Sequence, residues 1–325
     1  MTKDLSLKIS IALCVHNGER YLAEQLESFL SQTCPPYELV ACDDASEDAT
    51  QTIIEAFATR APFPVRFHRN PIKLGVNANF ERAIRLCQGD VIILSDQDDV
   101  WLPHKLEVFD KVFMATPEIG WAYCDANVVS DSLQPFGYTM WERVSFTRRE
   151  QKVGRKGNIF KVLLKHYVVA GAAMAFRANL RERLFPVPAG WAYDAWLAVL
   201  AAAFARCALI EEPLQLYRQH SSNAVGARRK STTQQICEAL RVDRKRYYRE
   251  ELVRWSQLME RITAVHAPAS AREALIAKLV HLERRASLPD RRLLRLPKIT
   301  AELISGGYHR YARNWGSVAF DLLFR

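Results

Sequence analysis

The chain has 325 residues, 49% of them hydrophobic, enough for one large α/β domain with an appendage or for two modest domains, and this excludes a disordered polymer. Its seven cysteines (14, 34, 42, 87, 124, 207 and 237) form no CxxC pair, and no histidines stand at zinc-site spacing. Neither a disulfide framework nor structural zinc is indicated, so a reducing, cytoplasmic compartment is expected. The net charge of +9 is uneven, with 21 Lys+Arg against 10 Asp+Glu in residues 226–325 and 24 against 26 before them.

The opening MTKDLSLKIS lacks the apolar core of a signal peptide, and the most apolar run, Ala195 to Ala205, is too short to span a bilayer. A soluble or peripheral protein is expected. Lys8–Val15 reads as a buried strand, and Leu22, Leu26, Phe29 and Leu30 recur at helical spacing within Glu19–Gln32. Tyr37–Cys42 reads as a second strand. Asp48–Thr59 follows as a helix, with Ile53, Ile54 and Phe57 inward and Asp48/Gln51 placed like a capping box. Val65–His68 is a strand and Asn77–Cys87 a helix. Asp90–Leu94 is a short apolar strand, and Pro103 opens a helix bearing Leu106, Phe109 and Phe113. Such alternation predicts a mostly parallel, Rossmann-like sheet. Beyond it the pattern is mixed, with strands at Trp121–Val129, Val168–Phe176 and Leu214–Arg218 and a buried helix over Ala195–Ala205. Residues 234–285 read as arginine-rich amphipathic helices, and 300–325 mix aromatics with arginine.

Ligands of parallel α/β sheets bind outside the carboxyl ends of the strands. Those loops hold His16-Asn17-Gly18-Glu19, Asp43-Asp44-Ala45-Ser46 and Ser95-Asp96-Gln97-Asp98-Asp99. In an extended segment Asp96 and Asp98 share a face, and their mutual repulsion is relieved by Mg²⁺ or Mn²⁺, which commonly takes one or two carboxylates and completes its shell with water and phosphate. A solvated acidic turn is the bland alternative. Asp43 is as well explained as a turn former, whereas Asp44, at a strand end, is placed to accept the imide N–H of uracil or thymine. Asp194 stands at the start of an apolar helix, where desolvation would raise its pKa toward that of a base, or where it would simply be an N-cap.

Together, Val15–Glu19, Cys42–Thr50, Asn70…Gly75…Asn77…Asn79-Phe80 and Ser95–Trp101 resemble family-two glycosyltransferases of the GT-A fold, most closely bacterial rhamnosyltransferase-like members. The resemblance covers roughly residues 8–225. It implies that Asp98, with Asp96, holds the metal and the sugar nucleotide, and that Asp44 and the backbone near Val15 and Asn17 hold the base. It also puts Glu19, Lys73, Asn77, Gln97 and Gly171 along the donor, makes Asp194 the catalytic base, and lets His220 complete the metal shell while Arg218 neutralises the diphosphate. Where many members have Glu-Asp or His-Asp, this chain has Tyr193-Asp194, which leaves the base intact. Gly171 is equally open to a packing explanation, and His220 to being a surface histidine.

The organisation expected is a GT-A domain over 1–228, with a donor half at about 8–105 and a mixed acceptor half at 106–228, then a basic helical region over 229–325. The expected function is inverting, metal-dependent transfer from a dTDP- or UDP-linked sugar to a glycan or lipid-linked acceptor of surface polysaccharide. A sugar-nucleotide nucleotidyltransferase is the alternative enzyme, but its Gly-rich basic loop is not matched by the single Gly18 followed by Glu19. Nucleic-acid binding through the basic tail has no motif in its favour. Trp255, Tyr247, Tyr248, Tyr308, Tyr311 and Trp315 among the arginines fit an anionic membrane surface at least as well, and a helical tail that only packs or dimerises is the plain alternative.

Overall fold

The computed structural model describes residues 6–220, 243–313 and 315–324. The part of the expected arginine-rich helices before 243 lies outside the described residues. Contacts divide the chain into two compact units, one comprising 1–157, 169–201 and 205–227, the other 158–168, 202–204 and 228–325. The second thus takes in two short stretches that precede the expected boundary at 228.

Among the described residues the first unit has nine strands: β1 (Ile9–Val15), β2 (Glu38–Asp43), β3 (Val65–Arg69), β4 (Val91–Ser95), β5 (Val100–Trp101), β6 (Ile119–Ser130), β7 (Pro135–Thr139), β8 (Met174–Arg177) and β9 (Arg206–Gln219). Their order is β3-β2-β1-β4-β8-β6-β9-β5, with β7 paired to β6. The β3-β2-β1-β4 run is parallel, whereas β8 is antiparallel to both β4 and β6. Every residue of β1, β2 and β4 is buried, as continuous apolar runs require when both sheet faces are covered. Alternate residues Ile9, Ile11, Leu13 and Val15 share one core with Leu22, Leu26 and Phe29 of helix α1 (Leu22–Leu30), Ile54 and Phe57 of α2 (Thr50–Ala58), and Leu106, Phe109 and Phe113. Helix α3 (Val76–Leu86) lies against β1 and β2 and buries Phe80, Ala83 and Ile84.

Registers fix where the loops emerge. Val15 pairs with Asp43, Asp43 with Arg69 and Leu13 with Ser95, so the loops after β1, β2, β3 and β4 leave the sheet at one edge.

Several local expectations are corrected. The Asp48/Gln51 capping box does not form: Asp48 accepts from the backbone N–H of Thr50 (3.0 Å) and of Glu19 (3.0 Å), while Gln51 bonds Glu55. Pro103 precedes His104, the N-cap of α4 (Lys105–Ala115), and so stands outside the helix. The strand expected over Val168–Phe176 is reduced to β8. Gly171–Ala173 turn as a 3₁₀ helix, and the Ala172 carbonyl leaves the ladder to accept from Lys105 Nζ at 2.9 Å. Conversely, the last strand is longer than Leu214–Arg218, because a register shift opposite Asp125 accommodates Pro213 within β9.

The second unit is helical where described, with helices Arg244–Ala264, Ala269–Ala286, Leu296–Ile304, Gly307–Tyr311 and Trp315–Leu323. Its arginine content is partly internal. Buried Asp321 accepts from Tyr248 Oη, Tyr308 Oη and Arg285 Nε, each at 2.6 Å, and buried Arg244 donates to the carbonyls of Arg285 (2.5 Å) and Leu288 (2.9 Å). These cations hold the unit together and are withdrawn from any nucleic-acid or lipid surface. No described helix is long and apolar enough to cross a membrane.

Candidate active site

The four loops at the sheet edge are tied to one another by their own side chains. Gln97 clasps His16 in two bonds, its Oε1 accepting from His16 N (2.8 Å) and its Nε2 donating to His16 O (3.1 Å). Gly18 leaves room for that clasp, since a Cβ there would stand 2.6 Å from Gln97 Oε1 and displace the amide. Asn17 N donates to Ser46 Oγ (2.9 Å) and Asn17 Oδ1 accepts from Glu47 N (2.9 Å), while Glu19 Oε2 accepts from Ala49 N (3.1 Å). The side chains of Glu19 and Gln97, expected along the donor, are therefore engaged in joining loops, as is that of Asn17, whose backbone was expected against the base. Val15 is buried, and its carbonyl accepts from Asp44 N (2.9 Å).

Asp44 is 3% exposed and organises the loop after β3. Its Oδ1 accepts from Asn70 Nδ2 (2.8 Å) and Leu74 N (2.7 Å), and its Oδ2 from Gly75 N (2.8 Å). Burial alone would raise its pKa. The bonds from Leu74, Asn70 and Gly75 outweigh that and hold it below the ordinary carboxylate value. Oδ1 is saturated, whereas Oδ2, with one donor, keeps a lone pair for a ligand N–H. Lys73 Nζ meets His16 Nε2 at 2.7 Å. Asp43 is the turn former, accepting from Ser46 N and Oγ and lying 3.5 Å from Arg69 Nε.

Asp96 and Asp98 project from the loop after β4 and are half-buried. Burial pushes the Asp96 carboxyl up to about 8, and the charges of Asp98 and Asp194 push the same way, against a weak bond from Tyr193 Oη at 3.5 Å. The Tyr193 contact brings the start of the helix that bears Asp194 beside the loop after β4. His220, just past β9, puts Nε2 2.8 Å from Asp98 Oδ2 and lies tilted against Tyr21, with ring centroids 4.6 Å apart and planes at 30°. Asp99 points inward, where its oxygens accept from Gln215 Nε2 (3.1 Å) and Arg218 N (3.2 Å).

Arg218 is not presented to a diphosphate as expected. It is 2% exposed and donates to the Asp98 carbonyl (2.8 Å), the Asp131 carbonyl (2.5 Å) and Glu24 Oε2 while lying over the Tyr21 ring. A guanidinium so engaged braces the Asp98 backbone.

Asp194 is the second residue of the helix Tyr193–Phe204, whose N-cap is Ala192, so the N-cap explanation for Asp194 falls away. Asn77 positions that helix. Its Oδ1 accepts from Tyr193 N (3.0 Å) and its Nδ2 donates to Trp191 O (2.8 Å), a job different from the donor contact expected. The Tyr193 ring stacks on Phe80 at 3.9 Å, and Gly171 lies against it, since a Cβ on Gly171 would meet Tyr193 Oη at 2.3 Å and Asp194 Cβ at 3.0 Å.

Sequence reading missed Lys105. Fully buried, it donates to Ala172 O and to Gln215 Oε1 and faces Trp101 at 3.9 Å. Burial pulls its pKa down to about 8, while Cys124, Asp99 and Asp96 pull it back up. It is a cation beneath an acidic loop. The signal was available, because positions 105, 109 and 113 lie on the same inward face of α4.

Among the described residues no group of three or more His, Cys, Asp or Glu side chains converges to hold a metal alone. Asp98 and His220, with Asp96 in the same loop, offer the carboxylate and imidazole donors that Mg²⁺ or Mn²⁺ accepts when phosphate oxygens and water supply the rest.

Residues 10–185 match the family described as glycosyl transferase family 2, and the chain belongs to that family. It is 26% identical over 223 residues to an uncharacterized glycosyltransferase of Nostoc sp., covering 67% of this chain and 66% of that protein, so it spans slightly less than two thirds of the relative's length. The fold is GT-A. Staphylococcus aureus TarS in complex with UDP superposes with a TM-score of 0.56 at 14% identity, covering 84% of this chain and 71% of that one. A mannosyltransferase from Pyrobaculum calidifontis in complex with GDP-Man and Mn²⁺ gives 0.54 at 16%, covering 98% and 86%.

Proposed function

We propose that the chain is an inverting glycosyltransferase that passes a sugar from a nucleoside diphosphate to a hydroxyl of a glycan or lipid-linked acceptor in bacterial surface polysaccharide synthesis. The observation that carries this reading is the approach of the helix bearing Asp194 to the loop bearing Asp96 and Asp98, where Tyr193 Oη, next to Asp194, lies 3.5 Å from Asp96 Oδ1. The free lone pair of Asp44 suits the imide of uracil or thymine, so the donor is a UDP-hexose or dTDP-rhamnose. Binding of UDP by the structural relative TarS supports the former.

In the reaction the acceptor hydroxyl attacks the anomeric carbon from the face opposite the diphosphate. Asp194 accepts the hydroxyl proton as the new C–O bond forms, and the bond to the diphosphate oxygen breaks with its electron pair. One displacement inverts the anomeric centre. Asp98, Asp96 and His220 would hold Mg²⁺ or Mn²⁺, which would supply positive charge to the departing diphosphate. Arg218 keeps the Asp98 backbone in place for that task, and Asn77 with Gly171 fixes where Asp194 stands.

The transferase domain is read as residues 1–228, with donor and acceptor halves meeting near 105, and residues 229–325 as a helical region that brings the enzyme to the anionic inner face of the cytoplasmic membrane. The reading is tested by supplying UDP- and dTDP-sugars with simple glycosides and determining the product's anomeric configuration by NMR. Inversion is expected, and retention would remove Asp194 from the role of base.

A further inference from the structure

We propose that the turn formed by residues 291–296 is the point at which the protein enters a membrane surface, and that its occupant is the anionic headgroup layer of a lipid bilayer. This rests on the reading of residues 229–325 as membrane-facing and gives that reading a location.

The turn consists of the 3₁₀ helix Arg292–Arg295 running into the helix Leu296–Ile304. Arg295, 2% exposed, pins it from inside: Nε donates to Pro289 O (2.6 Å), Nη1 to Asp321 O (2.8 Å) and Phe324 O (2.6 Å), and Nη2 to Asp290 O (3.0 Å). Four main-chain carbonyls on one guanidinium fix the shape of the turn. Its apolar side chains are left outside, with Leu293 79% exposed, Leu294 58% and Leu296 44%.

A single exposed leucine calls for no explanation, but three within four positions on a pinned turn make one local apolar tip that the fold holds open to water. Exposed Arg291 and Arg292 precede these leucines and exposed Lys298 follows them, its Nζ donating to Ser287 O at 3.4 Å, while the neighbouring acid, Asp290, is paired with Lys245 at 2.7 Å. An apolar tip flanked along the chain by cations matches a bilayer in two respects. Leucines reach the acyl boundary while the cations meet lipid phosphates. The charge also decides against a second copy, which in a two-fold arrangement would bring the same cations to the same place.

The test uses the full chain with phosphatidylcholine vesicles, with and without phosphatidylglycerol, in a flotation assay. Wild type should float with the anionic vesicles. Leu293→Ser/Leu294→Ser should lower partitioning by about tenfold or more, as expected for losing two buried leucines. Arg291→Gln/Arg292→Gln should lower it severalfold and flatten its salt dependence. All these residues are surface groups outside the donor site, so each variant should keep the wild-type thermal shift with UDP or dTDP, which separates failure here from failure of the transferase reading. Equal flotation of wild type and the serine pair overturns the proposal, as does absence of wild-type flotation. A wild-type dimer that the serine pair dissolves, with vesicle binding unchanged, also overturns it and assigns the surface to a second copy.

Discussion

His220 Nε2 lies 2.8 Å from Asp98 Oδ2, joining the end of the last strand of the sheet to the acidic loop after β4. Because the imidazole is nearly buried, its removal leaves a gap beside Asp98 without disturbing the sheet. His220→Ala should therefore weaken metal-dependent nucleotide binding by on the order of tenfold while leaving thermal stability without ligand within about 1 kcal/mol of wild type. Calorimetric titration of UDP and dTDP with Mn²⁺ checks this.

Asn77 contacts the backbone on both sides of Ala192 and so holds the entry to the Asp194 helix. Asn77→Ala should keep nucleotide affinity and lower kcat, since a small displacement of a general base is costly in rate. Loss of nucleotide affinity with unchanged kcat would instead return Asn77 to the donor contact first expected of it.

Gly171→Ala and Gly18→Ala test two close approaches of different kinds. The first would force Tyr193 away from its stack on Phe80, and the second would break the Gln97 clasp on His16. Each should destabilise the fold by about 1–3 kcal/mol, measured by urea unfolding, with the Gly171 variant also losing turnover.

In the helical unit Lys278 is buried, donates to Tyr311 O at 2.7 Å and lies over Trp255. Burial brings its pKa down to about 7, with Glu251 opposing and Arg285 and Arg254 assisting. Between about 7 and its unfolded value near 10.4 the unfolded chain binds the proton more readily, so stability should rise with pH across that window. Lys278→Met should flatten that rise, as read by thermal melts from neutral to alkaline pH.

The sequence displayed the parallel half of the sheet well, because strands such as Ile9–Val15 and Val91–Ser95 are buried throughout and are almost wholly apolar. Strand-end acids pointed to the site for the same reason, since polar residues after such strands have only the sheet edge to occupy. What stayed hidden was the division of labour among them. Gln97, Asn17, Glu19 and Arg218 have the chemistry of ligand contacts, yet their partners are backbone groups distant in sequence, which no local pattern encodes. The same limit applies to Val168–Ala173, where a lysine from another helix draws a carbonyl out of the ladder. Arginines 244, 285 and 295 mislead in the opposite direction, counting as surface charge in composition while serving as interior ties.

The central claim is that Asp98 belongs to the donor site and Asp194 to the chemistry. It is tested most directly by titrating UDP and dTDP, with and without Mn²⁺, into wild type, Asp98→Asn and Asp194→Asn, alongside turnover. The account predicts metal-dependent binding by wild type and Asp194→Asn, its loss in Asp98→Asn, and a fall in kcat of about 10²–10⁴ in Asp194→Asn. Metal-independent binding that Asp98→Asn retains, or full turnover in Asp194→Asn, would contradict it.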